Sequence, residues 1–182
     1  MNKEQYYNGL CKVNKKAFKM FEKYKLDSDT FFETGCHTGE TCIKAVMLGY
    51  KNIFSCDISH DFVTETINKL RSYDVNYLVE TMDSSLFLKN TIPQLDQKTT
   101  FWLDAHGWGG GCPTFDELEV LKQYAVRNDH TILIDDLHIF FRDTLLDKLK
   151  NKILQINENY RFEFVNLHDD GSDNVLVAYI KG

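Results

Sequence analysis

Residues 99–111 read Thr-Thr-Phe-Trp-Leu-Asp-Ala-His-Gly-Trp-Gly-Gly-Gly, TTFWLDAHGWGGG. The apolar run Phe101-Trp102-Leu103 shows no alternation, as expected of a strand buried on both faces. It stops at Asp104 and His106 and then dissolves into glycine. A buried strand that delivers polar side chains to its carboxyl end belongs in an open α/β sheet, where ligands collect at that end. A second run of the same kind, Thr-Ile-Leu-Ile-Asp-Asp at 131–136, again ends in acids. Three carboxylates and an imidazole are thereby sent to one sheet edge.

Towards the N-terminus the chain alternates short apolar runs with helical patterns. Strands are expected at Thr30–Glu33, Asn52–Asp57 and Asn76–Glu80. Helices are expected at Glu40–Leu48, with Ile43, Val46 and Met47 on one face, and at Asp61–Ser72, anchored by Phe62, Ile67 and Leu70. A short one follows at Ser84–Asn90, which Asp83 can cap, with Pro93 in the next loop. Towards the C-terminus, Thr114-Phe115-Asp116-Glu117 reads as a capping box behind Pro113. It opens a helix with Phe115, Leu118, Leu121 and Ala125 inward. His130–Asp135 is the fifth strand and Asp143–Ile156 the fifth helix. The alternation then ends. Tyr160–Val165 and Asn174–Ile180 are joined only by LHDDGSD, a spacing that predicts an antiparallel pair at the sheet edge. Residues 3–25 place Tyr6, Leu10, Val13, Phe18, Phe21 and Tyr24 among lysines, as one or two amphipathic helices on the core. The expectation is one α/β domain, a doubly wound and mostly parallel sheet with an antiparallel C-terminal strand. Residues 1–28 form its N-terminal helical segment and residues 29–182 its core.

Composition narrows the function classes. A chain of 182 residues supports one real core rather than two. Its formal net charge of -6 argues against a protein that grips nucleic acid through phosphates. It does not exclude a small anionic ligand, which a helix N-terminus can bind. The five cysteines are an odd number without a C-x-x-C pair, which disfavours a zinc ribbon or disulfide framework and suits a reducing compartment. MNKEQYYNGLCKVNKK is polar and basic, unlike a secretory leader, and no apolar run approaches the roughly 20 residues of a membrane span. A cytoplasmic protein without membrane contact is expected.

The turn after the first strand, Glu33-Thr34-Gly35-Cys36-His37-Thr38-Gly39, suggests a ligand. Gly35 suits a positive φ, and Gly39 lets backbone approach a ligand where the helix begins. Asp57 ends the next strand, where an acid can accept both ribose hydroxyls of a nucleoside, and Asp83 ends the third. Each acid also has a plainer reading, as a cap or a loop residue. The order E-x-G-x-x-x-G, CDIS, MDSS and a fourth strand ending in Asp resembles the class I S-adenosylmethionine-dependent methyltransferases across the chain after its N-terminal helices. The resemblance implies their Rossmann-like fold. It further implies that Glu33, Gly35 and Gly39 line the methionine half of S-adenosylmethionine. Asp57 would hold the ribose, and Asp83, with Ser84 beside it, would sit near the adenine amine.

Asp104, Asp135 and Asp136 remain. Three acids in one crevice repel one another unless a cation sits among them, and a hard divalent ion such as Mg²⁺ relieves that. Alternatively one of Asp135 and Asp136 caps the next turn and the other pairs with Arg142 or Lys148, while His138 is a loop histidine without a role. Strand-end Asp-x-(Asp/His) followed by Ile-Asp-Asp is similar to the metal-dependent sugar O-methyltransferases of macrolide and aminocoumarin glycosides. That similarity implies Asp104, Asp135 and Asp136 as ligands of the ion. His106 would be the base, standing where that family has Asp, and the acceptor a sugar or glycoside. Trp108 would stack on a sugar face or close a glycine turn. No inserted lid is visible, which leaves enclosure of the acceptor, by a homo-oligomer or otherwise, open.

Overall fold

Phe31 and Phe32 are neighbours in sequence and lie on opposite faces of the sheet, each fully buried in a different core. The computed structural model describes residues 2–106, 111–167 and 174–181. Its elements in chain order are α1 (Lys3–Gly9), α2 (Lys12–Tyr24), β1 (Thr30–Thr34), α3 (Glu40–Met47), β2 (Asn52–Asp57), α4 (His60–Leu70), β3 (Asn76–Thr81), α5 (Ser84–Thr91), a 3₁₀ turn at Ile92–Gln94, β4 (Thr99–Leu103), α6 (Thr114–Tyr124), β5 (Thr131–Ile134), α7 (Leu137–Phe140), α8 (Thr144–Leu154), β6 (Arg161–Val165) and β7 (Val175–Tyr179).

The seven strands run in the order β3-β2-β1-β4-β5-β7-β6. β1 to β5 are parallel, and β7 runs antiparallel between β5 and β6. This bears out the doubly wound sheet and its terminal hairpin. The order reverses between β1 and β4, which opens a crevice at their carboxyl ends. The ladder continues one residue past the strands there, with Asp104 N–H donating to Thr34 O at 3.2 Å and Asp135 N–H to Leu103 O at 3.2 Å. These bonds align the ends of β1, β4 and β5, so the acids that follow emerge together.

One face is covered by α1 to α4. Phe18, Phe21 and Tyr24 recur at three-residue steps along α2 and are buried. Phe21 meets Phe31 and Trp102 edge-on, with ring centroids 5.6 and 5.0 Å apart. Burial of one such ring contributes roughly 1.5–3 kcal/mol. The other face is covered by α5, α6 and α8 through Phe87, Leu88, Leu118, Leu121, Leu149 and Ile153.

Two details differ from expectation. The capping box at Thr114–Glu117 does not form, because α6 starts one residue early, with Pro113 in the cap position and no side-chain cap. Glu117 is thereby one residue past the position that reaches back to the cap. It points into the core beside Leu118 and Leu121, fully buried, while the Thr114 hydroxyl contacts Cys112 Sγ at 3.1 Å. The four-residue α7 was also unforeseen. It is too short for a period to show, and it follows Asp136 at φ 55°.

Candidate active site

At the carboxyl edge of the sheet a cavity of about 1090 Å³ spans the crevice from β2 to β4. Glu33, Gly35, Asp57, Asp83, Ser84 and Asp104 all line it, as does His106. Gly39 does not. A Cβ on Gly39 would meet Thr66 Oγ1 of α4 at 2.7 Å, so its absent side chain permits α3 to pack on α4. Gly35, at φ 81°, is constrained by the site itself. A Cβ there would meet the Asp104 carbonyl at 2.9 Å.

Asp57 is fixed before any ligand arrives. Its Oδ2 accepts the N–H of His37 and its Oδ1 that of Ser59, both at 2.9 Å. Each oxygen keeps a lone pair, which suits a carboxylate that must hold two hydroxyls. Asp83 caps α5 by accepting Leu86 N–H at 3.0 Å, so the plainer reading of this acid holds together with its place in the cavity wall. Glu33 lies deepest. It accepts the Cys42 thiol at 2.9 Å, and burial raises its carboxyl to about 7 against the pull of Cys42 and the nearby Lys44.

Beyond β4 the acids face one another. One ligand atom each from Asp104, His106 and Asp136 lies within 4.8 Å of the others, and His106 Nε2 is 3.3 Å from Asp136 Oδ2. A second, water-sized cavity of about 10 Å³ adjoins all three. Burial first, then Asp135, Glu33 and Asp136, hold the Asp104 carboxyl well above the usual carboxylate range. The left-handed backbone at Asp136 turns its side chain towards His106, while Asp135 accepts the Asp136 N–H at 2.8 Å. The close trio therefore contains His106 in place of Asp135, which borders the small cavity beside it. His138 contacts Asn174 at 3.2 Å, and Arg142 donates to the His138 carbonyl rather than to an aspartate. Trp108 lies outside the described residues.

Sequence reasoning passed over Ile58, which follows Asp57 and stands 73% exposed in the cavity wall, an apolar side chain placed to meet a flat ligand. Its signal was there in CDIS, an apolar residue directly after the strand-end acid. Trp102 was read only as core, yet its indole N–H donates to Asp104 Oδ2 at 3.2 Å.

No family model matches the sequence, and no curated protein sequence matches it either. Solved structures do match in shape. A SAM-dependent methyltransferase from Archaeoglobus fulgidus superposes with a TM-score of 0.64 at 14% identity, covering 98% of this chain and 97% of its own. The O-methyltransferase from Bacillus cereus in complex with SAH gives 0.67 at 12% identity, over 94% and 82%. The ribosomal protein L11 methylase from Lactobacillus delbrueckii subsp. bulgaricus gives 0.58 at 17%, over 93% and 78%. The chain has the class I methyltransferase fold. Within this methyltransferase fold the cavity lies at the strand-order reversal, the crevice such sheets use for ligands. Identities this low leave the acceptor to be argued from the site.

Proposed function

We propose that this protein transfers a methyl group from S-adenosylmethionine to a hydroxyl of a small neutral molecule, a sugar or glycoside, with help from a divalent cation. The observation that carries the reading is the pairing of two unlike sites in one crevice. One is a carboxylate oriented for two hydroxyls, Asp57, and the other a trio in which the Asp104 and Asp136 carboxylates suit a hard cation and His106 stands beside them as a base. Asp57 would hold the ribose, with Ile58 and Ser84 along the nucleoside and Glu33 beneath the methionine end. Bound there, the cofactor supplies an electrophilic methyl on sulfur. Asp104 and Asp136 would hold Mg²⁺ or a relative, which lowers the pKa of a hydroxyl bound to it. His106, held by Asp136, accepts the hydroxyl proton as transfer proceeds.

The cavity supports a small, uncharged acceptor. Its lining carries Glu33, Glu40, Asp57, Asp83, Asp104 and Asp116 and, among the described residues, no lysine or arginine. A phosphate backbone finds no counter-charge in such a wall, which disfavours nucleic acid as the acceptor. The volume lies just above the range of about 300–1,000 Å³ common for single small-molecule sites and leaves room for a second ligand beside a nucleoside. No helix among the described residues is long and apolar enough to cross a membrane, and the five cysteines are unbonded, which suits the cytoplasm.

The 3.3 Å contact between His106 and Asp136 also supports a second reading, a metal-free methyltransferase in which this pair alone is the base. Calorimetric titration with S-adenosylhomocysteine, with and without Mg²⁺, separates them. Synergy between the two supports the metal-assisted reading, S-adenosylhomocysteine binding indifferent to Mg²⁺ supports the second, and no binding of S-adenosylhomocysteine under either condition sinks both.

A further inference from the structure

Asp104 is the hub of the acid trio, and one oxygen of its side chain is already engaged. Trp102, two residues earlier on the same side of β4, donates its indole N–H to Oδ2 at 3.2 Å, which leaves Oδ1 without a hydrogen bond among the described residues. The indole itself is 3% exposed and cannot swing. In the sheet it lies opposite Glu33 on one side and Leu133 on the other, and Phe21 of α2 packs edge-on against it at 5.0 Å. The N-terminal helices are thus joined to the trio by a path from ring to indole to carboxylate.

We infer that Trp102 is a positioning residue: its indole N–H holds the Asp104 carboxylate in the orientation the trio uses, and Phe21 locks the indole. The inference rests on the reading of Asp104 as a ligand-holding group. Its physical basis is the company Asp104 keeps. The neighbouring carboxylates of Asp135 and Asp136 border the same small cavity and repel it, and the indole hydrogen bond acts against its rotation away. An outer partner of this kind typically changes metal affinity by about 10–100-fold when removed. A Trp at this position is therefore more than core filling, since a Phe would fill most of the volume and leave the carboxylate unheld.

The test uses the full chain and two readouts that need no turnover. Of the two tryptophans, Trp102 and Trp108, Trp102→Phe removes one and so assigns the remaining indole N–H resonances in ¹⁵N spectra. In metal-free protein, Asp104→Ala should move the Trp102 indole resonance and speed its hydrogen exchange at least about tenfold, by loss of its acceptor. An unmoved resonance with unchanged exchange overturns the proposal. In a titration with Mn²⁺ alone, Trp102→Phe should bind roughly 10–100-fold more weakly than wild type while S-adenosylhomocysteine affinity stays within about twofold. Phe21→Leu, which keeps the indole, should weaken Mn²⁺ in the same direction by less. Equal Mn²⁺ affinity in wild type and Trp102→Phe overturns the positioning role. Wild-type protein that binds no Mn²⁺ overturns instead the metal-assisted reading, and the resonance experiment alone then decides whether Trp102 holds Asp104.

Discussion

The two halves of the crevice are built from the same residue type and differ in what their acids touch. On the β1–β3 side the two aspartates accept backbone N–H groups, Asp57 from His37 and Ser59, and Asp83 from Leu86. Beyond β4 the acids have mainly one another and His106, and Asp104 is driven towards its neutral form. The two aspartates of the first half are held by backbone and present acceptors that suit a hydroxyl-rich ligand. The second is lined by no lysine or arginine among the described residues, and a cation would complete it. A fold that sends every strand end to one edge can thus make two sites from aspartates alone, by choosing whether backbone or other acids surround them.

That contrast can be broken. The largest effects belong to the second half. His106→Ala should lower turnover by about 10²–10⁴-fold, the usual contribution of a general base, with S-adenosylhomocysteine binding unchanged in calorimetry. Mn²⁺ binding retained in this variant assigns His106 to proton transfer, and its loss assigns His106 to the ion. Asp57→Ala should do the reverse, costing about 3–6 kcal/mol of S-adenosylhomocysteine affinity, the worth of two hydrogen bonds to a charged acceptor, and sparing Mn²⁺. If either variant damages both ligands equally, the division into halves fails.

Two glycines sharpen it. Both Gly35 and Gly39 have positive φ, so alanine at either should cost roughly 1–2 kcal/mol in backbone strain alone, read as a lower denaturation midpoint. Gly35→Ala also pushes on the Asp104 carbonyl and should weaken cofactor and metal together. Gly39→Ala presses only on Thr66 and should leave both affinities close to wild type.

The smallest expected effect concerns Glu117, buried below the junction of the halves with both carboxylate oxygens and the Ser84 hydroxyl unpartnered among the described residues. Burial raises its carboxyl from 4.5 to about 7. A folded-state pKa above the unfolded one means the folded chain holds the proton more tightly, so stability is greatest below about pH 4.5 and falls as pH rises through 7. Glu117→Gln should flatten that slope and raise stability at pH 8 by about 1 kcal/mol, less than the full shift implies because the amide is also unpartnered. Urea denaturation at pH 5 and pH 8 measures it. A variant as pH-sensitive as wild type would show that another buried acid, Glu33 first, carries the slope.

Much of this was written in local pattern. The run Asn52–Asp57 is a strand over its expected length, and the acids at 57, 83, 104 and 135–136 stand at strand ends, because burial on both faces of a parallel sheet demands apolar runs that the next polar residue must end. Hydrophobic period therefore determined the elements, the sheet edge and the residues that could meet there. It could not determine which of them do. Whether His106 or Asp135 joins Asp104 and Asp136 depends on a left-handed turn at Asp136 and on the ladder between β4 and β5. Glu117 entered the core because α6 began one residue early, and Gly39 serves α4 because that helix lies against it. Trp102 looks like any core aromatic until the strand's pleat sets its indole beneath Asp104. Period records burial along one element. The direction of a side chain past the end of a strand is decided by its neighbours, and only the packed structure contains them.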